Sequence, residues 1–199
     1  MLVRRRPFSM EDPWAVPPGC ERVAIRRATD GGAPRLPTTI TVYADACLNI
    51  LFCAHDDGIV ATYLGHDEPL YEEDVFEAFL APAGGSVYFE IEVNPLGTTF
   101  DARIESPEGV RRSMRADRGW ECAGLFAAVR RTPSSLESVL RVPFESLGVR
   151  VPAAGESWRA NFFRIDRSPE GDEYSAWSPT MKQPPDFHLV AAFGVLRFE

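Results

Sequence analysis

The side chains of this 199-residue chain best placed for chemistry are carboxylates set inside alternating apolar segments. Glu77 lies in Val75-Phe76-Glu77-Ala78-Phe79-Leu80, Glu90 in Tyr88-Phe89-Glu90-Ile91-Glu92-Val93, and Asp101 in Thr99-Phe100-Asp101-Ala102-Arg103-Ile104. Alternation in a strand sends successive side chains to opposite faces. Glu77 therefore leaves the face shared by Phe76, Ala78 and Leu80. Carboxylates gathered on one sheet face can accept hydrogen bonds from a ligand's hydroxyls, or serve as the acid and base of a glycosidase. Two histidine clusters, His55-Asp56-Asp57 and His66-Asp67-Glu68, fall in turn-like segments where solvated polar residues belong. His55, His66 and His188 lack zinc spacing, so no metal ligation is expected of them. Met181 and His188 could supply the axial pair of a haem-binding electron-transfer module, but their spacing carries no information.

The hairpin joining two of the acidic segments can be worked out by residue. Asn94-Pro95-Leu96-Gly97 has the residue types of a type I turn. If that turn joins its strands directly, Ile91 pairs with Phe100, Phe89 with Ala102 and Val87 with Ile104 on a core face. The other face then pairs Glu92 with Thr99, Glu90 with Asp101 and Tyr88 with Arg103. Glu90 opposite Asp101 is unfavourable unless a cation or donor stands between them, and Arg103 is the nearest candidate.

The elements that must hold these residues are short strands. Segments 39–43, 47–54, 58–63, 74–80, 87–93, 98–105, 123–131, 138–142, 157–166 and 193–198 carry the signal, with one more possible strand at 21–27. His55-Asp56-Asp57-Gly58 reads as a hairpin turn, and Pro82 with Gly84-Gly85 closes the strand at 74–80. One helical turn is expected at 144–147, between Pro143 and Gly148. The sequence thus predicts an all-β, single-domain β-sandwich of about ten short strands over 38–199, preceded by an irregular 1–37 packed on it.

Composition narrows the function. A net charge of −8 and a pI near 5.0 argue against nucleic acid and against an anionic membrane surface. No run of 18 apolar residues is present to span a bilayer. Arg4-Arg5-Arg6 is followed by Pro7 and acidic residues rather than an apolar stretch, so no export signal is expected and the cytoplasm is the default. Cys20, Cys47, Cys53 and Cys122 show no paired spacing and are expected as free thiols. Lys182 is the only lysine, a pattern of composition rather than of recognition.

Several segments together resemble the bacterial carbohydrate-binding family 9-like proteins. They are the acidic strand at 72–80, the hairpin at 88–98, Trp158-Arg159-Ala160-Asn161-Phe162-Phe163-Arg164, Ala176-Trp177-Ser178-Pro179, and 187–198. The resemblance implies a β-sandwich that holds a sugar, at a chain end, between two aromatic side chains. Trp177 falls on one such position, and Tyr71 stands where the sugar-binding members have Trp. Glu77 matches a polar contact, and Asn161 lies on the strand that supplies an amide. Where the family has a cation this chain has Glu90 or Glu92, which leaves Arg103 or Arg159 as substitutes. The implied partner is a mono- or oligosaccharide. A structural calcium near Asp67, Glu68, Glu72 and Glu73 is possible, as is export of family members. The alternative function is a glycan-active hydrolase or hydrolase-associated domain using paired carboxylates.

Overall fold

The β-branched and aromatic runs become strands in the computed structural model, which describes residues 1–82 and 86–199. In chain order they are β1 (Leu2–Arg5), β2 (Arg22–Ala24), β3 (Arg26–Arg27), β4 (Thr38–Ala44), β5 (Cys47–His55), β6 (Val75–Ala81), β7 (Val87–Val93), β8 (Thr99–Glu105), β9 (Arg115–Asp117), β10 (Phe126–Arg131), β11 (Ser135–Pro143), β12 (Ser157–Asp166), β13 (Glu173–Ala176) and β14 (Gly194–Phe198). Among the described residues the fold is nearly all-β, with helix confined to short 3-10 turns at Leu70–Glu72, Arg111–Ser113 and Val190–Ala192. Fourteen strands replace the expected ten or so. The additions are short or polar: β9 and β13 have little apolar alternation, and 21–27 splits around the buried Ile25. Segment 58–63 is not a strand. Its Val60 and Thr62 amides donate to the carboxylates of Asp74 and Glu73 instead of to a ladder. No hairpin forms at 55–58, and 144–147 makes turns. The Gly84-Gly85 turn lies outside the described residues.

All the strands join in one curled sheet, whose main path runs β10-β11-β5-β4-β1-β14-β12-β6-β7-β8-β9. β1 is its hinge, pairing in parallel with β14 on one side and β4 on the other. Its register with β14 sets Leu2 beside Arg197 and Val3 beside Phe198. The Arg197 amide donates to the Met1 carbonyl at 2.9 Å, and the Glu199 amide to the Val3 carbonyl at 3.0 Å. The segment before Thr38, expected to hold at most one strand, thus supplies three.

The two halves of the sheet face each other across one core. Ile40, Val42, Ile50, Phe52, Leu140 and Val142 come from one half, and Phe76, Ala78, Leu80, Ile91, Val93, Ala160, Phe162 and Leu196 from the other. At one end Arg164 reaches across to Asp56 at 2.9 Å and Asp166 at 2.8 Å while donating to the His55 carbonyl at 2.8 Å. Both acids and the guanidinium are buried, so each charge needs the others. The outer face of the β5 half is covered by Phe8, Trp14 and Val16 over Tyr43, Leu51 and Val139. The outer face of the β6–β7–β8 half carries a second apolar cluster under loops.

The β7–β8 register corrects one expectation. The type I turn is present, with the Gly97 amide donating to the Asn94 carbonyl at 2.9 Å. Gly97 then takes φ +83° and adds a bulge residue, so the Asn94 amide bonds the Thr98 carbonyl at 3.0 Å and Val93 pairs with Thr99. Every β8 residue shifts by one place. Ile91 pairs with Asp101, Glu90 with Ala102 and Phe89 with Arg103. Glu90 and Asp101 are therefore on opposite faces, and no carboxylate pair forms between them.

Candidate functional site

Strand parity assembles a different acidic group. Glu77 on β6 lies directly opposite Glu92 on β7, and Glu90 shares that face two residues earlier. One carboxylate oxygen from each of the three lies within 4.8 Å of the others. All three side chains are buried on the outer face of their half-sheet, among Phe79, Phe100, Ala102 and Tyr88. Burial is the largest influence on each and pushes each carboxyl upward, Glu90 to about 7. Glu90 adds to the rise at Glu77, and Glu77 and Glu90 to the rise at Glu92.

Above Glu77 and Glu90 opens a cavity of about 260 Å³. Its walls are the rings of Tyr71, Phe100, Tyr174 and Phe187, with Met114 and Ile165 between them. Tyr71 stands edge-on to Phe100, with centroids 6.2 Å apart. Phe187 stacks on Phe163 of β12 at 4.0 Å, which fixes the opposite wall. Arg118 donates to the Tyr71 hydroxyl at 3.1 Å, and Arg167 donates to the Tyr71 carbonyl at 2.8 Å and the Tyr174 hydroxyl at 2.6 Å. Both aromatic walls are thus held from the rim. His188 closes the inner corner, with the Tyr88 hydroxyl 2.7 Å from its Nδ1. Burial drives His188 down to about 3, so its ring is neutral.

Of the residues singled out in the sequence, Tyr71, Glu77 and Glu90 meet in this cavity. The others do not. Trp177 continues β13 beside Phe162, its amide donating to the Phe162 carbonyl at 2.8 Å, and its ring packs on the inner core 5.6 Å from the Phe162 ring. It lies on the opposite face from Glu77, so the structure forms no sandwich of Trp177 and Tyr71. Asn161 is fully buried and spends its amide on the backbone of Ser178, donating at 2.8 Å and accepting at 2.9 Å. Arg159 caps the Val190–Ala192 turn through the carbonyls of Val190 and Ala191. Arg103, moved to the other face by the bulge, bonds Glu105 at 2.8 Å.

Residues that the sequence reading missed include Phe100, Arg111, Arg118, Arg167, Tyr174 and Phe187. The register error hid Phe100 by assigning it to the inner face. The arginines stand on loops or strand ends without periodicity to mark them. His188 and Met181 part company: His188 lines the cavity, whereas Met181 is exposed beside Gly31.

The acidic loop does not fit a calcium ion. Glu68 Oε2 accepts from the amides of Leu64 and Gly65, Glu73 from Thr62 and Tyr63, and Glu72 from the Tyr63 hydroxyl. Protein donors take up these carboxylates, and among the described residues Asp67, Glu68, Glu72 and Glu73 form no common group of ligand atoms. His66, in the same loop, donates from Nδ1 to the Thr99 carbonyl at 2.8 Å and holds Nε2 3.2 Å from Glu121.

The architecture and the sequence have known counterparts. A candidate carbohydrate-binding protein of Bacteroides uniformis ATCC 8492 superposes with a TM-score of 0.73 at 19% identity, over 91% of this chain and 87% of that one. A carbohydrate binding module family 9 of Caldicellulosiruptor kristjanssonii, solved with glucose, gives 0.70 at 11% identity over 100% and 95%. The same kind of module solved with cellotriose gives 0.67 at 12% over 100% and 93%. No curated protein matches the sequence significantly. The sequence model of carbohydrate-binding family 9 matches residues 32–198, most of the chain, and the chain belongs to that family.

Proposed function

We propose that this chain is a non-catalytic binder that holds one sugar ring in the cavity between Tyr71 and Phe187, over Glu77 and Glu90. The observation that carries this reading is the pairing of aromatic walls with an acidic floor in a concave site. A pyranose presents apolar C–H faces to rings and hydroxyls to acceptors. A volume of about 260 Å³ is small beside common ligand cavities of roughly 300–1,000 Å³, and suits a single ring better than a chain lying along the surface. The two half-sheets around one core read as a β-sandwich of the family type, with the ligand on an outer face. The family consists of binding modules, which favours a binder over a hydrolase. Glucose and cellotriose, found with the Caldicellulosiruptor modules, are the first ligands to try.

The test is calorimetric titration with glucose, cellobiose and cellotriose. Aromatic contacts and a few hydrogen bonds of about 1 kcal/mol each predict affinities near millimolar to tens of micromolar. Tyr71→Ala should weaken binding about fivefold with little loss of stability, given that stacking is worth about 1 kcal/mol per ring. Trp177→Ala should leave affinity unchanged. Loss of binding in Trp177→Ala while Tyr71→Ala binds normally would move the site to the other face and overturn this assignment.

A further inference from the structure

We propose that Glu77, Glu90 and Glu92 bind a calcium-type divalent cation at the floor of the cavity. The inference does not depend on what sugar, if any, the cavity holds. Calcium takes oxygen ligands at about 2.3–2.6 Å, so two ligands on opposite sides of the ion stand at most about 5 Å apart. The three carboxylates each offer an oxygen within 4.8 Å of the other two, inside that limit. An all-oxygen set selects hard cations over zinc or copper, and an enclosed carboxylate floor suits calcium better than magnesium, which demands a strict octahedron and keeps most of its waters.

A second observation points to the missing ligand. Glu92 has no solvent exposure, and among the described residues no donor from outside the triad reaches either of its carboxylate oxygens, whose one hydrogen-bonding neighbour is the Glu90 carboxyl. Glu77, 1% exposed, has one oxygen that no donor reaches. Buried carboxylates in folded proteins are hydrogen-bonded, paired or metal-bound, because an isolated buried charge is too costly to keep. Among the described residues no arginine fills the role: Arg111 bonds Asp186, Arg118 the Tyr71 hydroxyl and Arg167 Asp172, and none donates to the three glutamates. The ligands stand on two paired strands, so their spacing is set by the ladder rather than by loop motion. Because Glu77 and Glu90 also line the cavity, the ion has an entry path and room for the water or ligand oxygens that complete its shell.

The full chain, stripped with a chelator, should be titrated with calcium chloride alone by calorimetry and by thermal melts, with magnesium chloride as the second arm. The expected result is one saturable calcium site and a melting temperature that rises with calcium. Glu92→Gln and Glu77→Gln keep the side-chain shape and remove a buried charge. Each should fold, melt at or above the chelated wild type, and bind calcium roughly 100-fold more weakly, since affinity follows ligand charge. Asp101→Asn, on the opposite face, should bind calcium as wild type does. Absence of both heat and thermal shift in the wild type would overturn the proposal and leave protons to neutralise the cluster. So would undiminished binding in both Gln variants, or magnesium binding as tightly as calcium. Because no sugar enters this experiment, its failure and that of the sugar reading are separable.

Discussion

A Cβ placed on Gly194 would stand 2.5 Å from Cζ3 of Trp177, so the indole fills the space a side chain at 194 would need. Trp177 and β14 are thereby locked together at the edge of the inner core. Gly194→Ala should cost about 1–3 kcal/mol by overpacking, because the ring cannot withdraw without leaving Phe162. Trp177→Ala should cost about 3 kcal/mol from the opposite fault, a cavity. Urea unfolding of both variants checks this. A Trp177→Ala protein as stable as wild type would contradict the packing role.

Asn94 is buried and makes three bonds at once: its amide donates to the Tyr63 carbonyl at 2.9 Å, and its oxygen accepts from Leu96 and Thr98 at 3.0 Å. Asn94→Ala should destabilise by about 2–3 kcal/mol, at about 1 kcal/mol for each lost bond. Chemical denaturation measures it, and faster hydrogen exchange at the Leu96 and Thr98 amides should accompany the loss.

His66 is pulled two ways. Partial burial lowers its pKa, but the Thr99 hydrogen bond, Glu121, Asp67 and Asp101 together raise it above the usual histidine value. A pKa higher in the folded state stabilises fully below the unfolded value of about 6.5, and that contribution disappears as pH climbs through the folded value. Nuclear magnetic resonance titration of the His66 ring should show a midpoint above 6.5, and Glu121→Gln should lower it. A midpoint below 6.5 in the wild type would mean that burial dominates.

The four cysteines are free, and burial pushes the Cys122 thiol up to about 12. In denaturant all four should react with a thiol reagent. In the native protein Cys122 should react last, since the thiolate is the reactive form and it is both buried and suppressed. Half-buried Cys20 and Cys53 should react first.

The strand framework was legible where alternation is strong: 87–93 and 157–166 were read with their observed ends, and β6 within a residue. Parity also placed Glu77 and Glu90 away from the inner core. The acidic triad was not legible, because recognising it required the β6–β7 register, which sets Glu77 against Glu92. The Gly97 bulge was missed for a related reason: the residue types specify the turn, but the left-handed geometry of its fourth residue, Gly97, decides which face β8 presents. Arg118 and Arg167 reach the rim from the neighbourhood of short or exposed segments, where no periodicity announces a direction. The resemblance set Trp177 on a ligand-holding position, whereas the space left at Gly194 takes its ring onto the inner core.

The placement of β1 between β4 and β14 also bears on mechanics. β1 runs parallel to β14, so a pull applied at Met1 and Glu199 drags the two strands past each other in opposite directions along their length. Their bonds, including those from the Arg197 and Glu199 amides, are then loaded together in shear instead of one after another as in peeling. A strand short enough to seem incidental thus makes the molecule stiff along the line joining its ends, and stretched in that direction it should rupture in a single event.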